Sequence, residues 1–197
     1  TDPSVREFYS KRGFKGFVDY LEKTYPEKFE QYSIPNHKDQ NPNVIMEAIS
    51  DGVVFSSLNE ACCADFIAAL RPKLSKLEIS KAIDCGFFYI GREYDFDFDF
   101  TSEQEIVCTE FVAKSYAPGP RKSGVHFPLK DYMGKKILRA DLIVEKFAKE
   151  AGTRNAELSF VYFLKGDEKA KKALVSDEST FKESFRWNGG LSISPPK

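Results

Sequence analysis

Apolar and polar positions alternate most strictly over Asp95–Phe100, with Asp95, Asp97 and Asp99 on one side and Phe96, Phe98 and Phe100 on the other. A period of two over six residues predicts a half-buried strand, entered through a turn at Gly91. The period then lengthens. Ile106, Val107, Phe111, Val112 and Tyr116 recur at helical spacing, Ser102 and Glu105 have the form of a capping box, and Ala117-Pro118-Gly119-Pro120 stops the run. Cys108 is therefore expected in or just before the first turns of an amphipathic helix, a short turn after a strand. Unpaired backbone N–H groups and the helix dipole favour a thiolate there.

The rest of the chain is read the same way. Residues 4–32 carry an apolar stripe (Val5, Phe8, Tyr9, Phe17, Leu21, Tyr25) that predicts helix, broken at Gly13 and Pro26. The polar stretch 33–42 is a loop, where flexibility is expected. Residues 43–48 and 53–57 are short strand patterns joined at Ser50-Asp51-Gly52, a hairpin signal. Residues 65–70 form a third strand pattern, and Leu74–Ile90 has helical spacing closed by Gly91. Past the basic loop of Arg121, Lys122 and Gly124, the pattern predicts a helix over 138–148, a strong strand over 157–164, a helix over 167–174 and an irregular tail from Trp187. Strands and helices do not alternate strictly, so the class is α+β with a mainly antiparallel sheet.

At 197 residues the chain is most simply one domain. Twenty-nine Lys and Arg against 30 Asp and Glu give no field that attracts nucleic acid or anionic membrane, and basic runs are short. No apolar run approaches the roughly 18 residues of a membrane span. Cys62, Cys63, Cys85 and Cys108 lack the spacing of a disulfide framework, and Cys62-Cys63 sits in a small, apolar setting that predicts buried, reduced thiols. No Cys-x-x-Cys and only two His (His37, His126) argue against zinc. The aspartates fail as a calcium loop: counting from Asp95, the sixth position is Phe100 and the twelfth Ile106, where Gly and Glu are needed. They read as a wet strand face. No metal or cofactor is expected.

Gly91-x-x-Tyr94 followed by Cys108-Thr109-Glu110-Phe111-Val112 resembles the Gly-x-x-Tyr … Cys-Ser-Glu/Gly-Leu/Phe-Val block of NlpC-type cysteine peptidases. It is most similar to their circularly permuted branch, the YiiX-like papain-fold amidohydrolases, over Asn43 to Phe147. The resemblance implies a permuted papain-like fold with a central, mainly antiparallel sheet and flanking helices. Residues 1–42 would be a helical insertion and loop, 43–164 the core and 165–197 an extension. It also implies Cys108 as nucleophile, Tyr94 near the oxyanion and Glu47, in Val44-Ile45-Met46-Glu47-Ala48, as the group orienting a histidine. Two alternatives stay open: Tyr94 is a strand-end surface aromatic, and Glu47 faces water.

The permuted branch takes its histidine from a strand upstream of Glu47, and these residues contain no such strand. The expectation is a base that precedes Thr1; His37 acting from its loop and a loss of catalysis are the alternatives. His126 follows the cysteine, in the wrong order. The implied activity is cleavage of an amide by a thiol, in cell-wall peptides or N-acylated small molecules, with no nucleic-acid partner. The rival readings are an inactive member that binds peptidoglycan fragments or lipid, and a docking module built on the aromatic helices of residues 5–25.

Overall fold

The computed structural model describes residues 2–97, 105–132, 134–167 and 171–186. In chain order its elements are α1 (Pro3–Ser10), α2 (Phe17–Thr24), α3 (Pro26–Ser33), β1 (Asn43–Ile49), β2 (Gly52–Ser57), α4 (Leu58–Ala61), β3 (Phe66–Pro72), α5 (Lys76–Tyr89), α6 (Cys108–Tyr116), β4 (Lys130–Tyr132), β5 (Lys135–Ile137), α7 (Ala140–Glu150), β6 (Leu158–Asp167), β7 (Lys172–Ser176) and α8 (Glu178–Glu183). Helices combine with antiparallel sheets (β1-β2, β3-β6-β7 and β4-β5), an α+β architecture. Among the described residues no helix is long and apolar enough to cross a membrane. The chain forms two compact units, one from residues up to Ala64 with Leu74–Leu138, the other from Asp65–Lys73 with the chain after Leu138.

The first unit opens with the three helices that the aromatic stripe predicts. Asp2 caps α1 by accepting from the Ser4 N–H at 3.0 Å, with Pro3 preset for the first turn. Gly13, at φ +87°, turns the chain, and Pro26 opens α3. Tyr9 is 1% exposed and meets Phe17 and Tyr20 at ring distances of 5.1 and 4.9 Å. These helices are tied to α5 by polar contacts at both ends. The Tyr20 and Tyr25 hydroxyls donate to Asp84 Oδ1 at 3.0 and 2.9 Å, and Lys28 Nζ donates to the Phe87 and Phe88 carbonyls, which end α5.

The loop after α3 carries a network of its own hydrogen bonds that its composition does not predict. Pro35 bridges Pro42, and buried Asn36 donates to Asn43 Oδ1 and Glu60 Oε2 while accepting from the Lys38 N–H. Polar side chains here satisfy one another, which a count of turn formers does not reveal.

The hairpin β1-β2 forms as expected, with Ala48 opposite Val53 and Glu47 opposite Val54. Gly52, at φ +101°, has a second duty. The Arg92 carbonyl oxygen would lie 2.4 Å from a Cβ on it. That close approach lets Val53 N–H donate to Arg92 O at 2.8 Å, while Gly91 N–H donates back to Val53 O at 2.8 Å. Ala48, Val53, Tyr89, Ile90, Ile106 and Phe111 form the core around this junction, with Met46 and Tyr94 packed against it.

The second unit holds the third strand and corrects one reading. The strand of residues 65–70 forms as expected and pairs with β6, Ala68 opposite Phe163. Strand periodicity carries no information on the partner. The helix expected over 167–174 is replaced, in its described part, by β7, which returns along β6 with Val175 opposite Leu164. Alanine and lysine are good helix formers, but propensity is a weak prior, and pairing along the edge of β6 overrides it. Phe147, Phe160, Phe163 and Phe181 fill this unit's core. Lys146 is buried there between Glu150 and Glu157.

Two outcomes follow for stability. Gly52→Ala should cost at least about 2 kcal/mol in urea unfolding, since backbone strain and a collision with a carbonyl act together. The tyrosines make stability fall in alkali. Burial, and next the charge of Asp84, raise the Tyr25 and Tyr20 phenols, and burial chiefly pushes Tyr9 up to about 12. Unfolded tyrosine loses its proton near pH 10, so the folded chain then binds more protons than the unfolded one. The tyrosine contribution to stability is fully present below pH 10 and is lost as pH climbs from 10 toward 12. Urea midpoints at pH 8 and pH 11 should show the drop, and Tyr25→Phe should shrink it.

Candidate functional site

Cys108 is the first residue of α6 and is exposed, directly after the buried pair Ile106 and Val107. The helix thus begins later than the capping-box reading predicts. Ser102 lies outside the described residues, and Glu105 forms a parallel bridge with Glu93. The cap comes from Glu110 instead. Its Oε2 accepts from the Val107 N–H at 3.4 Å, and valine has no oxygen to reciprocate, so only half of a capping box exists. The amides of the first turn have no acceptor within the helix.

Glu110 is 1% exposed, an unusual place for a carboxylate. Lys114 Nζ lies 3.0 Å from its Oε1. Burial holds the Glu110 carboxyl above the ordinary carboxylate range; the Lys114 hydrogen bond and charge oppose this, and Asp95 adds a smaller upward push. Glu110 went unrecognised in the sequence as more than a motif letter. Its signal was there: a Glu three residues past the residue that precedes the helix.

The aspartate stretch differs from its pattern. Residues 98–100 lie outside the described residues, and in 95–97 the faces are reversed: Asp95 is 1% exposed, while Phe96 is 61% exposed. Asp95 Oδ1 accepts from the Asp97 N–H at 2.8 Å, closing a local turn in place of a strand. The carboxylate satisfies backbone that a ladder would otherwise have to satisfy, so alternation here does not mean strand.

Tyr94 is partly buried against the hairpin core and meets Phe96 edge-on at 5.0 Å. Its phenol is pushed up to about 12, first by burial and then by the charge and hydrogen-bonding of the adjacent Cys108 sulfur, with Asp95 adding last. Tyr94 is therefore protonated at neutral pH and can donate a hydrogen bond beside the thiol. A cleft of about 410 Å³ opens next to Tyr94, lined also by Ser50, Asp51, Glu93, Phe96, Asp97 and Glu105.

Of the three residues singled out in the sequence, Cys108 and Tyr94 are thus side by side. Glu47 lies on β1 between Met46 and Ala48, whose side chains face the core; strand alternation turns Glu47 to the other face, where its charge acts on Lys38. His37 is exposed in the loop beside Lys38, where its charge acts on Glu60. His126 is exposed. The cysteine pair is less covered than expected: Cys62 is half-buried and Cys63 exposed, because α4 ends there at the surface. Cys85 is half-buried, and burial raises its thiol. Among the described residues no group of three His, Cys, Asp or Glu is placed to hold a metal ion.

Native iodoacetamide labelling read by peptide mass spectrometry should therefore modify Cys108 and Cys63 well before Cys85. Equal rates at all four cysteines would contradict these exposures.

Compared with known families, residues 20–171 match the model described as permuted papain-like amidase enzyme, YaeF/YiiX, C92 family. Comparison with curated proteins and with solved structures finds no match. The match covers most of the chain, including the β1-β2 hairpin, β3, β6 and the Tyr94–Cys108 pair, and stops before β7. The chain belongs to the permuted papain-like amidase family of YaeF and YiiX.

Proposed function

We propose that the protein is a thiol-dependent amidohydrolase with Cys108 as its nucleophile. The observation that carries this reading is the exposed thiol at the first position of α6 with the protonated Tyr94 phenol beside it. Cys108 Sγ attacks the amide carbonyl carbon and gives its proton to an imidazole. The oxyanion takes hydrogen bonds from the Cys108 backbone N–H and the Tyr94 hydroxyl. The carbon–nitrogen bond then breaks, the amine leaves with the proton from the imidazolium, and water hydrolyses the thioester. Glu47 orients the imidazole; in support, its charge reaches Lys38, the sequence neighbour of His37. Substrates of this reading are cell-wall peptides or N-acylated small molecules.

A panel of muropeptides and N-acyl amino acids, assayed for released amine, tests the reading. Cys108→Ala should lower turnover by at least ~10³-fold, and Tyr94→Phe should lower kcat by ~10²-fold with the fold intact by circular dichroism. Hydrolysis that survives Cys108→Ala would end the proposal. Loss of turnover in His37→Ala, with His126→Ala active, would name His37 as the base. Saturable binding of muropeptides without turnover in the unsubstituted protein would identify a binding module instead.

A further inference from the structure

Glu110 is, with Asp95 and Lys146, one of the buried charged groups that the reaction above does not use, and it is the one on the helix of the thiol. Its carboxylate is enclosed in the first turn of α6, two residues after Cys108, and one oxygen accepts from the Val107 N–H. Val107 is itself 1% exposed, so this amide has no access to water. The carbonyl of Val107 is already engaged, accepting from the Phe111 N–H at 2.8 Å. Both backbone groups of the residue before the nucleophile are therefore fixed, one by the helix and one by Glu110. The second Glu110 oxygen lies 3.0 Å from Lys114, one turn along, which offsets a negative charge held under the thiol. A carboxylate in hydrocarbon is costly, and an ordinary surface Ser or Asp before the helix would cap it without that cost. Capping from inside leaves the outer side of the turn open for the thiol and a substrate oxygen.

We propose that Glu110 is a positioning residue: it holds the Val107–Cys108 backbone from the buried side of α6, and Lys114 neutralises it there. The inference rests on Cys108 being the nucleophile, but its test reads the thiol itself and needs no turnover.

The rate of Cys108 alkylation by iodoacetamide, followed on its peptide, is compared in Glu110→Ala, Glu110→Gln and the unsubstituted protein, with Cys63 as internal reference. Glutamine keeps an acceptor of the same reach, so Glu110→Gln should alkylate within about threefold of the unsubstituted rate. Alanine leaves the Val107 amide buried and unpaired, so Glu110→Ala should change the Cys108 rate by about tenfold while Cys63 stays constant. A folded Glu110→Ala with an unchanged Cys108 rate overturns the proposal. So does a Glu110→Gln that departs as far as Glu110→Ala. If Glu110→Ala does not fold, Glu110→Met, of similar volume but without an acceptor, takes its place: a Cys108 rate changed about tenfold supports the role, and a rate within threefold overturns it. Where amide turnover exists, kcat should follow the alkylation rate across the variants with KM unchanged. Absent turnover in the unsubstituted protein would count against the hydrolase reading and leave the alkylation comparison standing.

Discussion

The approach of one carbonyl to one glycine sets the geometry of the rest. Without a side chain on Gly52, the Arg92 oxygen reaches the Val53 amide, and Gly91 answers through the Val53 carbonyl. Two hydrogen bonds thereby fasten the segment after α5 to the hairpin. Everything downstream inherits that anchor: Glu93 meets Glu105, Ile106 N–H donates to Glu93 O at 3.0 Å, and Tyr94 comes to lie beside Cys108. Two residues fourteen apart in sequence meet because a third contact, forty positions upstream of Arg92, admits no side chain.

The same region buries two carboxylates, Asp95 and Glu110, each 1% exposed, on segments that are brought together there. Both serve backbone amides, of Asp97 and of Val107, and the charge of Asp95 adds a small upward push to the Glu110 carboxyl. Lys114 supplies the compensating cation. Burial of acids is usually tolerated where it fixes a conformation that apolar groups cannot fix, and both of these fix turns that flank the thiol. Rigidity on the protein side leaves the solvent side of the turn unencumbered.

Much of this was legible in the sequence. Helix stripes interrupted by Gly13 and Pro26 gave α1 to α3, Asp51-Gly52 gave the hairpin, and the helical spacing after Cys108 gave α6. The Tyr94 and Cys108 motif pointed to the family that the comparison finds. What escaped has a common cause. The Asp95–Asp97 turn, the Asn36 hydrogen bonds and the Glu110 cap are all built by polar side chains bonding to nearby backbone, whose partners periodicity does not encode. The helix read over 167–174 failed because β7 answers to the edge of β6, a tertiary fact. Glu47 was read from its place in an apolar run, and that place does not say which face of β1 it occupies.

Similarity and packing draw the edge of this protein at different places. The family pattern begins at residue 20, within α2, yet Val5 and Tyr9 of α1 are already interior, with the Tyr9 hydroxyl 3.4 Å from Ser80 on α5. The helix α1, outside the matched residues, is therefore part of the hydrocarbon interior here. Trimming the chain to the shared pattern would strip the cover from α5 and leave a greasy wall in water, so the smallest version that folds cleanly is longer than the smallest version that is recognisable.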